Sequence, residues 1–571
     1  MQSPKEIFLE LLKPEGRPER LLKQYEALTI VLNDPINAYL RGNRKRGCRS
    51  IDRWGTTIDW PEDAPGPMPH ITADCKVCPD ITRWRDYVKV PDLEANCREG
   101  WAERRAEAVA ASGGKTLIAG FMGTGIFEQC HFLMGFEDTL TALYEHPEEM
   151  HQLIDYITDY RIGYARMLID GLKPDLIFSH DDWGAKNALF MKPDMWREFF
   201  KEPYRRFYGA IRDKGVIALH HADSYLVPIV EDMAEIGIQV WQGVLPENDI
   251  PALQQQLEGR MVLMGGIGAA IDRPDTQAEE VDSYVTGILE DCTPGGHFIP
   301  SISYGLMGTV YPHVDPLIDQ AIEKFNERLS LPSFHLPPAA RRTGKKSSQA
   351  APQTKSSQET ELLPAIAMAL CRGQRKKLLQ LCTQALEQGI QAREILDDGL
   401  ISGMDKLGQD FSSGRAFVPE MLMAARCMNA ATELLKPYLS EAGGKSLGKV
   451  CLGTVKGDMH DIGKNLVKIM MEGAGLEVID LGVDVAAEDF VNTALEKDCG
   501  LIACSSLLTT TMGEMGKVVE LAKASGARDK LKIMVGGAPI SESFCREIGA
   551  DAYTADAAQA AKMASKLLAQ L

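Results

Sequence analysis

The 571-residue sequence has no apolar run long enough to cross a bilayer. Its first residues, MQSPKEIFLELLKPEG, carry charge where a secretory signal has an apolar core, so a cytoplasmic protein is expected. Excess positive charge is also missing. Against 80 Asp and Glu stand 62 Lys and Arg, a formal net charge of −18. Nucleic acids and anionic membranes are held by basic surfaces, so neither is an expected partner. Nor is there a disulfide framework. The 13 cysteines, an odd count scattered along a long chain, fit reduced thiols in a cytosol. Cys75 and Cys78 have CxxC spacing. A zinc site would need a second pair or histidines, and a redox motif would need a βαβ context. Neither is evident, and the pair reads as two ordinary thiols.

What is present divides the chain. Residues 336–360, LPPAARRTGKKSSQAAPQTKSSQET, are rich in Pro, Ser, Gln and Lys and nearly free of large apolar side chains. Such a segment buries too little surface to offset its ordering entropy and reads as a flexible linker. Over residues 1–335, short apolar runs alternate with helical patterns. The runs are Thr116–Met122, Asp175–Trp183, Val216–Asp223, Ile238–Val244, Val262–Gly268 and His297–Ser303. Between them, stretches such as PEEMHQLIDYITDYRIGYARMLIDGL place apolar residues three and four apart. This alternation predicts an α/β fold, a (β/α)8 TIM-like barrel, with the first hundred residues as an elaboration. Residues 361–445 are helical, with Met368, Met404, Met421, Met423 and Met428 among Leu, Ala and Ile. Residues 446–571 alternate again, with KVCLGTV, LEVIDLGV, GLIACSSL, KIMVGGA and AYTA as five strand candidates. They predict a Rossmann-like parallel sheet.

The first of those five strands runs into KGDMHDIGKNLVKIMM. Asp458, His460 and Gly463 form D-x-H-x-x-G at the strand's carboxyl end, where open α/β sheets bind ligands. Ser505 and Leu507 form S-x-L after the third strand, and Gly536 and Gly537 follow the fourth. Three elements in order, on the right strand ends, resemble the cobalamin-binding module shared by methionine synthase, corrinoid methyl carriers and some mutases. The resemblance implies a cobalamin-type corrinoid whose nucleotide tail enters a cleft in the sheet while His460 ligates the cobalt. Asp458 would then hold the far imidazole nitrogen, fixing tautomer and basicity. Ser505 would extend that network, and Leu507 and Thr509 would belong to the same binding set. Gly463, Gly536 and Gly537 would let the tail approach the backbone. Segment 361–445, with GMDKLGQDFSSGRAFVPEMLMAA, resembles the helical cap of methyl carriers, which points to methyl transfer rather than mutase chemistry.

From Gly120 to Glu327 the chain resembles the uroporphyrinogen decarboxylase superfamily, through HDDWGAKNALFMKPDMWREFF (His180–Phe200) and HADSYLVPIVEDMAEIGIQVWQ (His221–Gln242). The decarboxylase signature M-R-Q-A-G-R is absent. Zinc methyltransferases of that superfamily carry H-x-C-G and a later cysteine. Here Asp223 stands at the first cysteine, and GGHFIPSISYG offers Ser303 or Tyr304 at the second. Thiol activation is therefore disfavoured. An oxygen-rich site would polarise an ether oxygen, either through zinc at His221 and Asp223 or by metal-free acid catalysis. His221 and Asp223 alternate with His220 and Ala222, and His180, Asp181 and Asp182 form another strand end. Glu128, His131 and Tyr304 complete the candidate site.

These resemblances imply a fused corrinoid methyltransferase in which Co(I) takes a methyl group from a small donor presented by the barrel. The oxygen-leaning site makes a methoxylated aromatic compound the expected donor. The expected partners are that substrate, a separate acceptor methyltransferase using tetrahydrofolate or a thiol, and a reductive corrinoid activase. The alternatives are a methyl halide or other donor, the reverse transfer from methylcobalt to a thiol, and a corrinoid-binding sensor or carrier with a silent barrel.

Overall fold

The computed structural model describes residues 2–62, 66–72, 74–304, 310–331, 362–440, 448–458, 462–506, 511–537, 540–554 and 557–570. The linker expected at 336–360, and the expected ligands His460, Leu507 and Thr509, lie outside these. The chain forms two compact units, the first drawn from residues before 332 and the second from residues after 361 together with 46–48 and 59–68.

In the first unit seven parallel strands make one sheet in chain order: β1 (Leu28–Val31), β2 (Leu117–Met122), β3 (Leu176–His180), β4 (Ile217–His221), β5 (Val240–Val244), β6 (Val262–Ile267) and β7 (Phe298–Ile302). Strands buried on both faces read as continuous apolar runs, and β5 and β6 are buried at every position. The ends of the sheet meet: the backbone N–H of Gln24, just ahead of β1, donates to Pro300 O on β7 at 3.1 Å. The sheet curls on itself, giving the expected barrel, with seven strands among the described residues. One expectation changes. The first hundred residues are not only an elaboration, because they supply β1, which pairs with β2 from Leu28↔Leu117 to Val31↔Gly120. Four residues are too few for periodicity to separate a strand from a helical turn.

Helix α1 (Ile126–Met134) follows β2, and α2 (Pro147–Leu172) leads to β3. In α2 the buried positions 150, 153, 154, 157, 158, 161, 164, 165, 168, 169 and 172 keep the three-and-four spacing of a helix face. Pro147 opens it and Lys173, at φ 50°, closes it. Helix α3 (Glu202–Arg212) packs beside α2. Cys75 and Cys78 each hydrogen-bond a separate backbone carbonyl, of His70 and Asp80.

The second unit begins with helices α4 (Leu362–Cys371), α5 (Arg375–Glu387), α6 (Ser402–Ser412) and α7 (Val418–Ser440). All five expected strands follow: β8 (Lys449–Thr454), β9 (Glu477–Asp480), β10 (Leu501–Ser505), β11 (Lys532–Gly536) and β12 (Ala552–Thr554). Their order is β9-β8-β10-β11-β12, all parallel. The period of two decides which core each residue joins. Val450, Leu452, Leu501, Ala503 and Met534 share a core with α4–α7, whereas Cys451, Ile502, Cys504, Ile533 and Val535 face the opposite core. The helices pack on one another, and their buried side chains belong to one cluster with this face of the sheet. Met404, Met421 and Met428 are buried in it, and Met368 is exposed. Among the described residues no helix is long and apolar enough to cross a membrane.

Candidate functional site

Each unit gathers polar side chains at the carboxyl ends of its strands, where both architectures place their sites. In the barrel, β3 ends in His180, β4 ends in His221, and Glu128 sits in the first turn of α1. His180 Nδ1 donates to Glu128 Oε2 at 2.8 Å, and its Nε2 lies 3.7 Å from Asp182 Oδ2. Burial works against charge on His180, but the Glu128 carboxylate overcomes it, and Asp182 adds to the effect. The imidazole is raised to about 10. Glu128 shows the converse: burial would raise it, yet the facing imidazolium holds it below its ordinary value. The pair is a charged couple in a largely water-excluded place, where electrostatic interactions are strong. Donor atoms of Glu128, His180 and Asp182 lie within 4.8 Å of one another, a spacing that can accommodate a cation.

His221 plays a different part. Its ring stacks on His180, with centroids 4.8 Å apart and planes 17° off parallel. Gln242 Nε2 donates to Tyr25 OH at 2.9 Å, which turns the Gln242 carboxamide oxygen toward His221 Nδ1. The Nδ1 of His221 therefore carries the proton, leaving Nε2 as an acceptor. Burial, then the charge on His180, push His221 down to about 4, so it stays neutral. Asp223 lies beyond the end of β4. Its backbone N–H donates to Asp182 Oδ1 at 3.1 Å, and burial with the nearby Asp182 carboxylate raises its own carboxyl to about 6. His221 and Asp223, the expected metal pair, lie outside the group of three converging donors. The converging donors are Glu128, His180 and Asp182.

Two further candidates lie outside the group of three converging donors. The His131 ring packs against Phe127, Phe132 and Phe136, and burial pushes it down to about 4. The phenol of Tyr304 interacts with Asp272, and burial raises its pKa. Residue reading passed over Gln242, the orienting partner of His221. Its sequence signal was a lone amide inside the otherwise apolar run VWQGV.

In the second unit the order β9-β8-β10 puts the topological switch point between β8 and β10. Asp458 follows β8 there and is fully buried. Its Oδ2 accepts from Ser506 Oγ at 3.3 Å and from Thr511 Oγ1 at 3.2 Å, and the two hydroxyls are 2.8 Å apart. The network expected to run through Ser505 runs through Ser506, one residue later. Ser505 is the last residue of β10, and its carbonyl accepts from Val455 N–H. The Asp458 loop is also held from β9, since Asp484 N–H donates to Asp458 O at 3.0 Å and Gly457 N–H to Asp484 Oδ1 at 2.7 Å.

Gly537 has φ +136°, and a Cβ there would fall 1.8 Å from the Ser506 carbonyl oxygen. Its expected role in admitting a ligand is thus preceded by a packing role: it lets the ends of β10 and β11 close together. Gly537→Ala is expected to destabilise the second unit by about 2 kcal/mol, through backbone strain and overpacking. The unit's unfolding midpoint measures this. By contrast, a Cβ on Gly463 would meet no atom of the described residues within 4 Å. A buried carboxylate fixed by two hydroxyls at a switch point fits a corrinoid held through a histidine on Asp458.

Comparison with known proteins agrees. Residues 448–562 and 362–436 each match a family model described as a B12 binding domain, and 53–319 match that of uroporphyrinogen decarboxylase. The chain is 40% identical over 210 residues to the dimethylamine corrinoid protein of Methanosarcina barkeri, covering 37% of this chain and 98% of that protein. It is 42% identical over 176 residues to trimethylamine corrinoid protein 1 of Methanosarcina acetivorans, covering 30% and 82%. The methanol:cobalamin methyltransferase complex of Methanosarcina barkeri aligns with TM-score 0.34 and 29% identity over 38% of this chain and 82% of that one. The chain therefore belongs to the corrinoid proteins, with B12 binding domains that take a cobalamin-type corrinoid joined in one polypeptide to a uroporphyrinogen decarboxylase-like domain.

Proposed function

We propose that this protein is a methyltransferase that moves a methyl group from a small methoxylated, aromatic donor to its own corrinoid. The observation that carries the reading is the Glu128–His180 pair at a barrel strand end, 2.8 Å apart and joined by Asp182, a cluster of oxygen and nitrogen donors alone. A phenoxide leaves an ether poorly unless it receives a proton or meets a cation. His180, held charged by Glu128, is placed to protonate the oxygen as its bond to the methyl carbon breaks. His221, neutral and stacked on His180, shapes the floor of the site, and Asp182 orients the far side of the His180 ring. The corrinoid, when bound, supplies the nucleophile that takes the methyl group, and Asp458, His460 and Ser506 are the residues that would hold it.

A second reading of the same cluster rests on its converging donor atoms, which would seat a divalent cation such as zinc as Lewis acid. Cobalt and zinc analysis of wild type and Asp182→Ala separates the two: zinc present in the first and lost in the second establishes the cation. The donor is tested by methyl release from methoxyarenes, methyl halides, methanol and methylamines with the reduced protein. Turnover confined to halides or amines would overturn the ether reading. Discharge of the methyl group to a separate acceptor methyltransferase, and rescue of oxidised corrinoid by a reductive activase, complete the proposed cycle.

A further inference from the structure

Helix α1 begins without a side-chain cap of its own, because its N-cap residue is Gly125. Helix starts leave backbone N–H groups without intrahelical partners. Here Gly125 N–H donates to Glu128 Oε2 at 3.2 Å and Ile126 N–H to Tyr204 OH at 3.0 Å. The N–H groups of Phe127 and Glu128 both donate to Asp181, at 2.8 Å to Oδ2 and 2.9 Å to Oδ1. Asp181 is fully buried, and the Tyr204 hydroxyl donates to its Oδ2. A carboxylate is favoured at this end of a helix by the backbone dipole. The approach is close enough that a Cβ on Gly125 would fall 2.1 Å from the Asp181 side chain.

We infer that Asp181 is a positioning residue that sets the Glu128–His180 pair, with Tyr204 as its buried partner. It is the chain neighbour of His180 and Asp182. The strand end that supplies His180 through its backbone therefore also fixes, through the Asp181 carboxylate, the helical turn carrying Glu128. Both members of the 2.8 Å pair are referred to one rigid tripeptide, as a site tuned by a charge pair requires. The inference rests on the reading of Glu128 and His180 as catalytic.

In the full-length holoprotein, Asp181→Asn is expected to lower kcat for the preferred donor about 100-fold with KM changed less than about threefold, since a displaced catalytic group costs about that much. In a Glu128→Gln background the same change is expected to cost less than about threefold, because residues acting as a unit are not additive. Additive losses would overturn the inference, as would wild-type kcat in Asp181→Asn. Should that variant fail to fold, Tyr204→Phe, which removes one hydroxyl, is expected to show the same pattern on a smaller scale, and additivity there would equally overturn it. A substrate-independent readout is the downfield Nδ1–H resonance of His180 in 15N-histidine-labelled protein. It is expected to be lost in Glu128→Gln and in Asp181→Asn alike. Its survival in Asp181→Asn alone defeats the inference. Absence of methyl release from every donor in wild type defeats the functional reading and leaves the resonance to decide the positioning role.

Discussion

Replacing His180 by Gln is expected to lower methyl release about 10²–10⁴-fold, the span associated with a positioned acid, while corrinoid content stays at the wild-type level. Glutamine keeps a donor toward Glu128 but cannot carry the proton, and it leaves the half of a charged pair that His180 neutralised. Glu128 would then be a buried carboxylate without the imidazolium that does most to favour its charge. The stacked neighbour supplies the control. His221 is already neutral, tied at Nδ1 to Gln242, so His221→Gln is expected to cost far less. Single-turnover spectra of the reduced, corrinoid-loaded protein measure both. A larger loss at His221 than at His180 would transfer the proton-donor role to His221.

How much of this could be read from residues alone varies with the kind of signal. Strands buried on both faces announce themselves as apolar runs, and β2 through β7 fell within the runs identified. β1 did not, because LTIV is short and lies in a stretch with no turn signal before it. In the second unit all five strands were legible, since turn residues bound each one. The site shows the same division. His180 and His221 close their strands and Asp182 follows two residues after His180, positions that topology fixes. Spacing does not show which side chains set their charge: Glu128, a candidate from the segment after β2, approaches from a helix more than fifty residues earlier, and Gln242, passed over, from the next strand. The shift from Ser505 to Ser506 has the same origin. A motif names a strand end to within one residue, whereas the side chain that turns toward Asp458 depends on where β10 stops, and it stops at Ser505. Ser506, beyond the pleat, turns its hydroxyl toward Asp458.

That one-residue difference gives the second large expected effect. Asp458→Asn keeps the size of a buried side chain and an oxygen acceptor, and the hydroxyls of Ser506 and Thr511 can rotate to accept from the new amide. Packing should therefore survive, with the unfolding midpoint of the second unit near that of wild type. What disappears is the negative charge that a ligating imidazole needs behind it. Loss of such a supporting partner lowers metal affinity or activity about 10–100-fold, so hydroxocobalamin uptake by the apoprotein, followed by equilibrium dialysis, is expected to weaken by that factor. Ser506→Ala should cost much less, since Thr511 still donates to Asp458 Oδ2 at 3.2 Å. Removing both hydroxyls, with Ser506→Ala and Thr511→Val together, should approach the Asp458→Asn loss, because two donors on one carboxylate oxygen substitute for each other. Ser505→Ala is expected to bind corrinoid as wild type does. If Ser505→Ala instead weakens binding more than Ser506→Ala, the hydroxyl that steadies the ligand pair is Ser505, and the carboxyl end of β10 must rearrange when the corrinoid enters.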